Sequence, residues 1–113
     1  MFRPRPKVDV YQRALELAGH VHRVLEHATN ARFHLKDRLD RYTAQMVVEL
    51  GRAAADIQTA RWRYYRSVSK LATDCAAILD LFDHQDVTTA QDDLDRAQAT
   101  VRRLLNELEP LRG

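Results

Sequence analysis

Arginines gathered on one side of a helix bind phosphate, and the segment Arg61-Trp62-Arg63-Tyr64-Tyr65-Arg66, followed by Lys70, has the residues for it. At 3.6 residues per turn, Arg63, Arg66 and Lys70 share the face opposite the core, with Trp62 at its border. Guanidinium forks pair with phosphate through two parallel hydrogen bonds, and aromatic rings stack on unpaired bases. Upstream, Arg38, Arg41, Gln45 and Arg52 line one side of the preceding helical segment. The two flanks together make a candidate nucleic-acid surface. The plainer reading is a solvated face whose arginine stems pack over aromatic rings.

Other reactive residue types are present, but their spacing does not assemble a centre. Of the five histidines, His20 and His22 point to different faces of a helix, while His20 and His27 share a face two turns apart. No Glu-x-x-His pair occurs, so the carboxylate–histidine sets of metal-binding bundles are missing and neither metal nor other cofactor is expected. Cys75 falls in an apolar stripe beside Ala76 and Ile78, as a small core residue does. Arg13 and His20, six residues intervening, resemble the Arg-x(4–6)-His pair of helical HEPN ribonucleases, which would imply RNA cleavage. Helical spacing puts both residues on the exposed face of the first helix. With no glycine-rich phosphate loop, Ser-His-Asp set or paired carboxylates, the chain reads as a non-enzyme.

The elements that position these residues are helices. The 113 residues include only three glycines and three prolines, two of the prolines within the first six residues, so turns are few and elements long. Pro4 and Pro6 make residues 1–7 an extended, flexible basic arm ahead of one domain over 8–113. The apolar residues then recur at steps of three and four. Val10, Ala14, Leu17/Ala18, Val21 and Leu25 predict a helix over about 8–27. Leu35, Leu39, Tyr42, Met46, Leu50 and Ala53 predict a second over 31–54, with Asn30 as its cap. Tyr65, Val68, Ala72, Cys75, Leu79 and Phe82 predict a third over 59–82, capped by Asp56 or Thr59. After a turn at Asp83-His84-Gln85-Asp86, Thr88 or Thr89 caps a fourth, carried by Leu94, Ala97, Val101, Leu104/Leu105 and Leu108 and ended by Pro110. Four such helices joined by short turns predict an all-α, up-down antiparallel four-helix bundle.

Composition narrows the setting. Apolar residues make up 45 % and charged residues 30 %, too apolar for disorder, and no apolar run is long enough to span a membrane. A single cysteine and the absence of a signal-peptide pattern point to the cytoplasm. The net charge of +2 divides into +7 over residues 1–70 and −5 over 71–113. The basic part attracts phosphates, and the acidic part could lie against that surface within the molecule or on a second copy.

The stretch Leu25-Glu26-His27-Ala28-Thr29-Asn30-Ala31-Arg32-Phe33-His34-Leu35-Lys36-Asp37-Arg38-Leu39 resembles the helix 1–2 junction of the accessory variability determinant proteins of diversity-generating retroelements. Arg32-Phe33-His34-Leu35 and Arg38-Leu39 fit its motif, although Lys36 stands where that family has glycine and its junction proline is missing. Ala60-Arg61, the run Arg66 to Ala72, and Ile78, Leu79 and Phe82 resemble its third helix. The resemblance, over roughly residues 8–105, extends to the wider superfamily of four-helix proteins encoded in ribosomal RNA intervening sequences. It implies a non-catalytic homo-oligomer, a pentameric barrel with a basic outer surface, that binds template RNA and a reverse transcriptase. Arg32 and Arg38 match the motif by position; Arg61, Arg63, Arg66 and Lys70 match its general basic character. Two other expectations stand beside it: a protein-interaction bundle without a nucleic-acid role, and the ribonuclease.

Overall fold

The computed structural model describes residues 9–56 and 60–112. Among them are four helices, α1 (Val10–Glu26), α2 (Phe33–Ala55), α3 (Arg61–Gln85) and α4 (Gln91–Leu108), followed by a 3₁₀ turn over Glu109–Leu111. The expected arm over 1–7 and the candidate cap Thr59 lie outside the described residues. Each helix packs against two others, α1 and α3 both lying between α2 and α4, and no diagonal pair touches. This is the up-down bundle that the spacing predicts, a body of 51 × 29 × 18 Å.

The core forms where the apolar stripes meet. Leu17, Leu39, Met46, Val68, Leu79, Phe82, Leu94 and Leu104 are fully buried, and each such side chain contributes about 1.5–3 kcal/mol of transfer free energy. The stripes differ from expectation at particular positions, in α3 by the burial of Ser69 and Ile78. In α1 Val24 is buried and Leu25 only half-buried, because the helix turns by 100° per residue and α2 and α4 close over Val24. In α2 and α4, Thr43 and Thr100 join the core, and Thr43 tolerates this because its hydroxyl donates to the Leu39 carbonyl at 2.7 Å.

The helix ends differ more. Asp9 caps α1, its Oδ1 accepting from the backbone N–H of Tyr11 at 3.0 Å and of Gln12 at 3.2 Å. α2 starts after Arg32 instead of Asn30, and α3 after Ala60, while Asp56 ends α2. α3 runs through Asp83-His84-Gln85 because these side chains lie outside the core and cost the helix nothing. It stops at Asp86, which takes the left-handed conformation (φ 53°, ψ 47°) that aspartate tolerates better than most residues. Neither threonine is the cap residue of α4, which is Ala90. Thr88 is buried between the two loops at this end, its hydroxyl donating to the Val24 carbonyl at 3.4 Å and accepting from the Ala90 N–H at 3.2 Å. The Thr89 N–H donates to the His27 carbonyl at 3.3 Å, closing the α1 and α3 ends together.

Polar ties between helices concentrate on α4. Arg13 of α1 clasps Glu107, with Nε to Oε1 at 3.0 Å and Nη2 to Oε2 at 2.9 Å. On its other side, Gln98 and Arg102 donate to Asp80 of α3 at 3.0 and 3.2 Å, and Gln91 to Asp83 at 3.1 Å. Between α2 and α3 the described side chains make one weak contact with each other, Thr43 Oγ1 to Cys75 Sγ at 3.9 Å, besides the Arg61 hydrogen bond to the Asp56 backbone at the end of α2.

Cys75 is fully buried. Burial pushes its thiol up to about 12, with the Thr43 hydroxyl pulling the other way and Asp74 adding to the rise. The thiol therefore stays protonated near neutral pH, and little of the reactive thiolate is present. We expect Cys75 to resist a disulfide reagent in the folded protein and to react fully once urea unfolds it. Fast labelling of the native chain would contradict this placement.

Candidate nucleic-acid interface

The contact between Thr43 and Cys75 sets the level of α2 against α3: one step along α2 is one step back along α3. Arg52 is therefore level with Arg66, and Val48 with Lys70. Buried Val68, Ala72 and Cys75 turn Arg63, Arg66 and Lys70 outward, and all three are exposed. Exposed Arg52 of α2 is at the same level, so the four cations lie toward one end of the bundle, on the outward sides of α2 and α3. None of the four forms an ion pair among the described residues.

Trp62 belongs to this cluster. The guanidinium carbon of Arg66 lies 4.8 Å from the ring centroid and that of Arg63 lies 5.5 Å away. Stacking on an indole holds the planar fork in place while leaving its N–H edges free, which lowers the entropy lost when it takes a phosphate. Trp62 keeps 38 % of its surface exposed.

The other candidate residues stand elsewhere. Arg61 reaches back, its Nε donating to the Asp56 carbonyl at 2.6 Å, and so ties α3 to the end of α2. Arg38 and Arg41 lie about 21 and 17 Å further along α2 from Arg52, at 1.5 Å per residue, and Arg32 precedes the helix. Arg41 pairs with Asp37 at 3.0 Å, both exposed, whereas Arg32 and Arg38 form no ion pair among the described residues. The eight residues are thus spread along the bundle and are not one patch.

The acidic part of the chain does not cover the basic group. Asp80, Asp83 and Asp95 are engaged by Gln91, Gln98 and Arg102, along the α3–α4 seam.

Arg13 and His20 are not on an exposed face, contrary to the helical-wheel expectation. They flank the core on the side where α4 packs, and Arg13 keeps only 25 % of its side-chain surface, Glu107 16 %. The Glu107 hydrogen bonds, opposed by desolvation and assisted by Glu16, raise the Arg13 pKa further above its ordinary value. His20 lies 3.9 Å from Glu16, and its Nδ1 is buried without a partner. An arginine committed to two carboxylates has no free fork for a scissile phosphate. No group of three or more metal-ligating side chains comes together among the described residues. The cleft of about 430 Å³ near the start of α1, between Tyr11, Leu50, Arg61 and Tyr65, offers a cation and phenols but neither histidine nor thiol.

No protein-family model, no curated protein and no solved structure matches this chain. The site therefore rests on its own residues. No helix of the described residues is long and apolar enough to cross a membrane.

One residue not singled out for the site from the sequence is Phe33, the first of α2, with 82 % of its surface exposed. A signal for it existed. Phe33 is out of phase with the stripe of Leu35, Leu39 and Met46, so a large apolar ring falls on the outer flank among Arg32, His34 and Lys36.

Proposed function

We propose that this bundle is a non-catalytic RNA-binding accessory protein that takes phosphates on the outward sides of α2 and α3. The observation that carries the reading is the set of exposed cations Arg52, Arg63, Arg66 and Lys70, none tied to a carboxylate of the described residues, with two guanidiniums held over Trp62. A charge cluster without internal partners is attractive to a polyanion, and the planar, fork-shaped donors suit phosphate better than a point charge would. The resemblance to accessory variability determinant proteins adds the remaining partners to this proposal: a retroelement's template RNA, its reverse transcriptase, and further copies of this chain in a five-membered ring.

Four phosphate contacts on a single strand correspond to a salt slope near −2.8, so affinity is expected to fall by about 50-fold between 50 and 200 mM salt. Arg63→Glu combined with Arg66→Glu removes two contacts and adds two repulsive charges. In gel-shift titrations the pair should weaken binding at least about tenfold and flatten the slope by about 1.4. Unchanged affinity and slope in the double variant would remove this face from consideration.

A further inference from the structure

Resting on that RNA reading, we propose that Phe33 is a base-stacking platform for an unpaired nucleotide, and that the strand held at α3 continues to the start of α2. Among the described residues the ring is the most exposed of the large apolar side chains, far more so than Leu15, Val48 or Trp62. A side chain so exposed contributes little to the fold, and its open ring face is available to a partner. Its neighbours set the charge of what would cover it. Arg32 and His34 are exposed, Lys36 is half-exposed, and none of the three is in an ion pair among the described residues. The nearest carboxylate along the helix, Asp37, is taken up by Arg41. An exposed aromatic ring with Arg32 and Lys36 close by in the chain, neither in an ion pair among the described residues, fits a nucleotide, with the ring on the base and the two cations on its phosphates.

The spread of basic residues then acquires one explanation. Phe33 and Trp62 stand roughly 35 Å apart along the bundle, the span of about ten stacked nucleotides of one strand. Arg38, Arg41 and Arg52 lie between them on α2. Phe33 lies on the α1 flank of α2 and Trp62 on the α4 flank of α3, so a strand running diagonally over the outer faces of both helices would meet a ring at each end and guanidiniums between. A duplex does not fit this arrangement, because its paired bases present no open face to either ring.

The test is fluorescence anisotropy on the whole chain, with a labelled single-stranded oligouridylate of about twenty nucleotides and an RNA duplex of equal length. Phe33→Ala should weaken single-strand binding about fivefold or more, leave duplex binding and the salt slope unchanged, and leave the melting temperature within error. Phe33→Tyr should restore the affinity. Equal single-strand affinity in Phe33→Ala and the original chain, while Arg63→Glu/Arg66→Glu still weakens binding, would overturn the Phe33 site alone. A loss that occurs only together with a changed mass in solution would also overturn it, since Phe33 would then be buried between copies. No binding of either RNA by the original chain would overturn this proposal and the RNA reading together.

Discussion

Phe82→Ala is expected to lower the unfolding free energy by about 3–5 kcal/mol, measured by urea denaturation followed by circular dichroism. Phe82 is the largest of the fully buried side chains and lies in the last full turn of α3. At that end Thr88, Val24 and the His27 carbonyl bring the two loops together, so the surroundings are fixed by hydrogen bonds and cannot collapse into the space. The cost therefore includes the cavity as well as the lost transfer free energy. Against a total of about 5–15 kcal/mol for a domain of this size, the loss removes from about a fifth to all of the stability. A change below 1 kcal/mol with an unaltered denaturant slope would mean that the core at this end is looser than its burial implies.

The second large effect belongs to Arg13. Arg13→Leu should cost about 2–3 kcal/mol, because it strands the Glu107 carboxylate, mostly enclosed, without its two hydrogen bonds. The double variant Arg13→Leu/Glu107→Leu should recover a large part of that loss, since replacing both partners by apolar groups leaves no charge unpaired. Thermal melts of the two single variants and the double one measure the coupling. If the two single losses simply add, the clasp contributes nothing of its own. The same set bears on function: RNA cleavage that requires Arg13 would contradict the structural role assigned to it.

The fold was legible because apolar residues at helical spacing leave little choice for a chain with few glycines. Leu39, Met46 and Leu50, or Val68, Ala72 and Cys75, identify their helices and inner faces without help. The ends were not legible. Helix starts were assigned to Asn30, Thr88 and Thr89 on side-chain chemistry, but Thr88 is spent on a tertiary bond, and α2, α3 and α4 begin with no side-chain cap. Nor did the first helix's pattern show which flank α4 would cover, and Arg13 and His20 passed for exposed residues for that reason. For the site, the face of Arg63, Arg66 and Lys70 followed from spacing alone. Its separation from Arg32, Arg38 and Arg41, and the bareness of Phe33, required knowing how α2 lies against α3.

The unequal distribution of polar ties among the seams has a mechanical consequence. Hydrogen bonds specify direction and length, whereas contacts between leucine and alanine surfaces are nearly indifferent to small displacements. Helix α4 is pinned on both sides by Glu107, Gln98 and Arg102, so its axial position is defined to within a bond length. Among the described residues, helix α2, which carries Phe33, Arg38 and Arg52, rests on shape, apart from the weak contact of Thr43 with the Cys75 sulfur and the Arg61 tie at its tail. An axial displacement of α2 would therefore break fewer directed bonds of the described residues than the same displacement of α4.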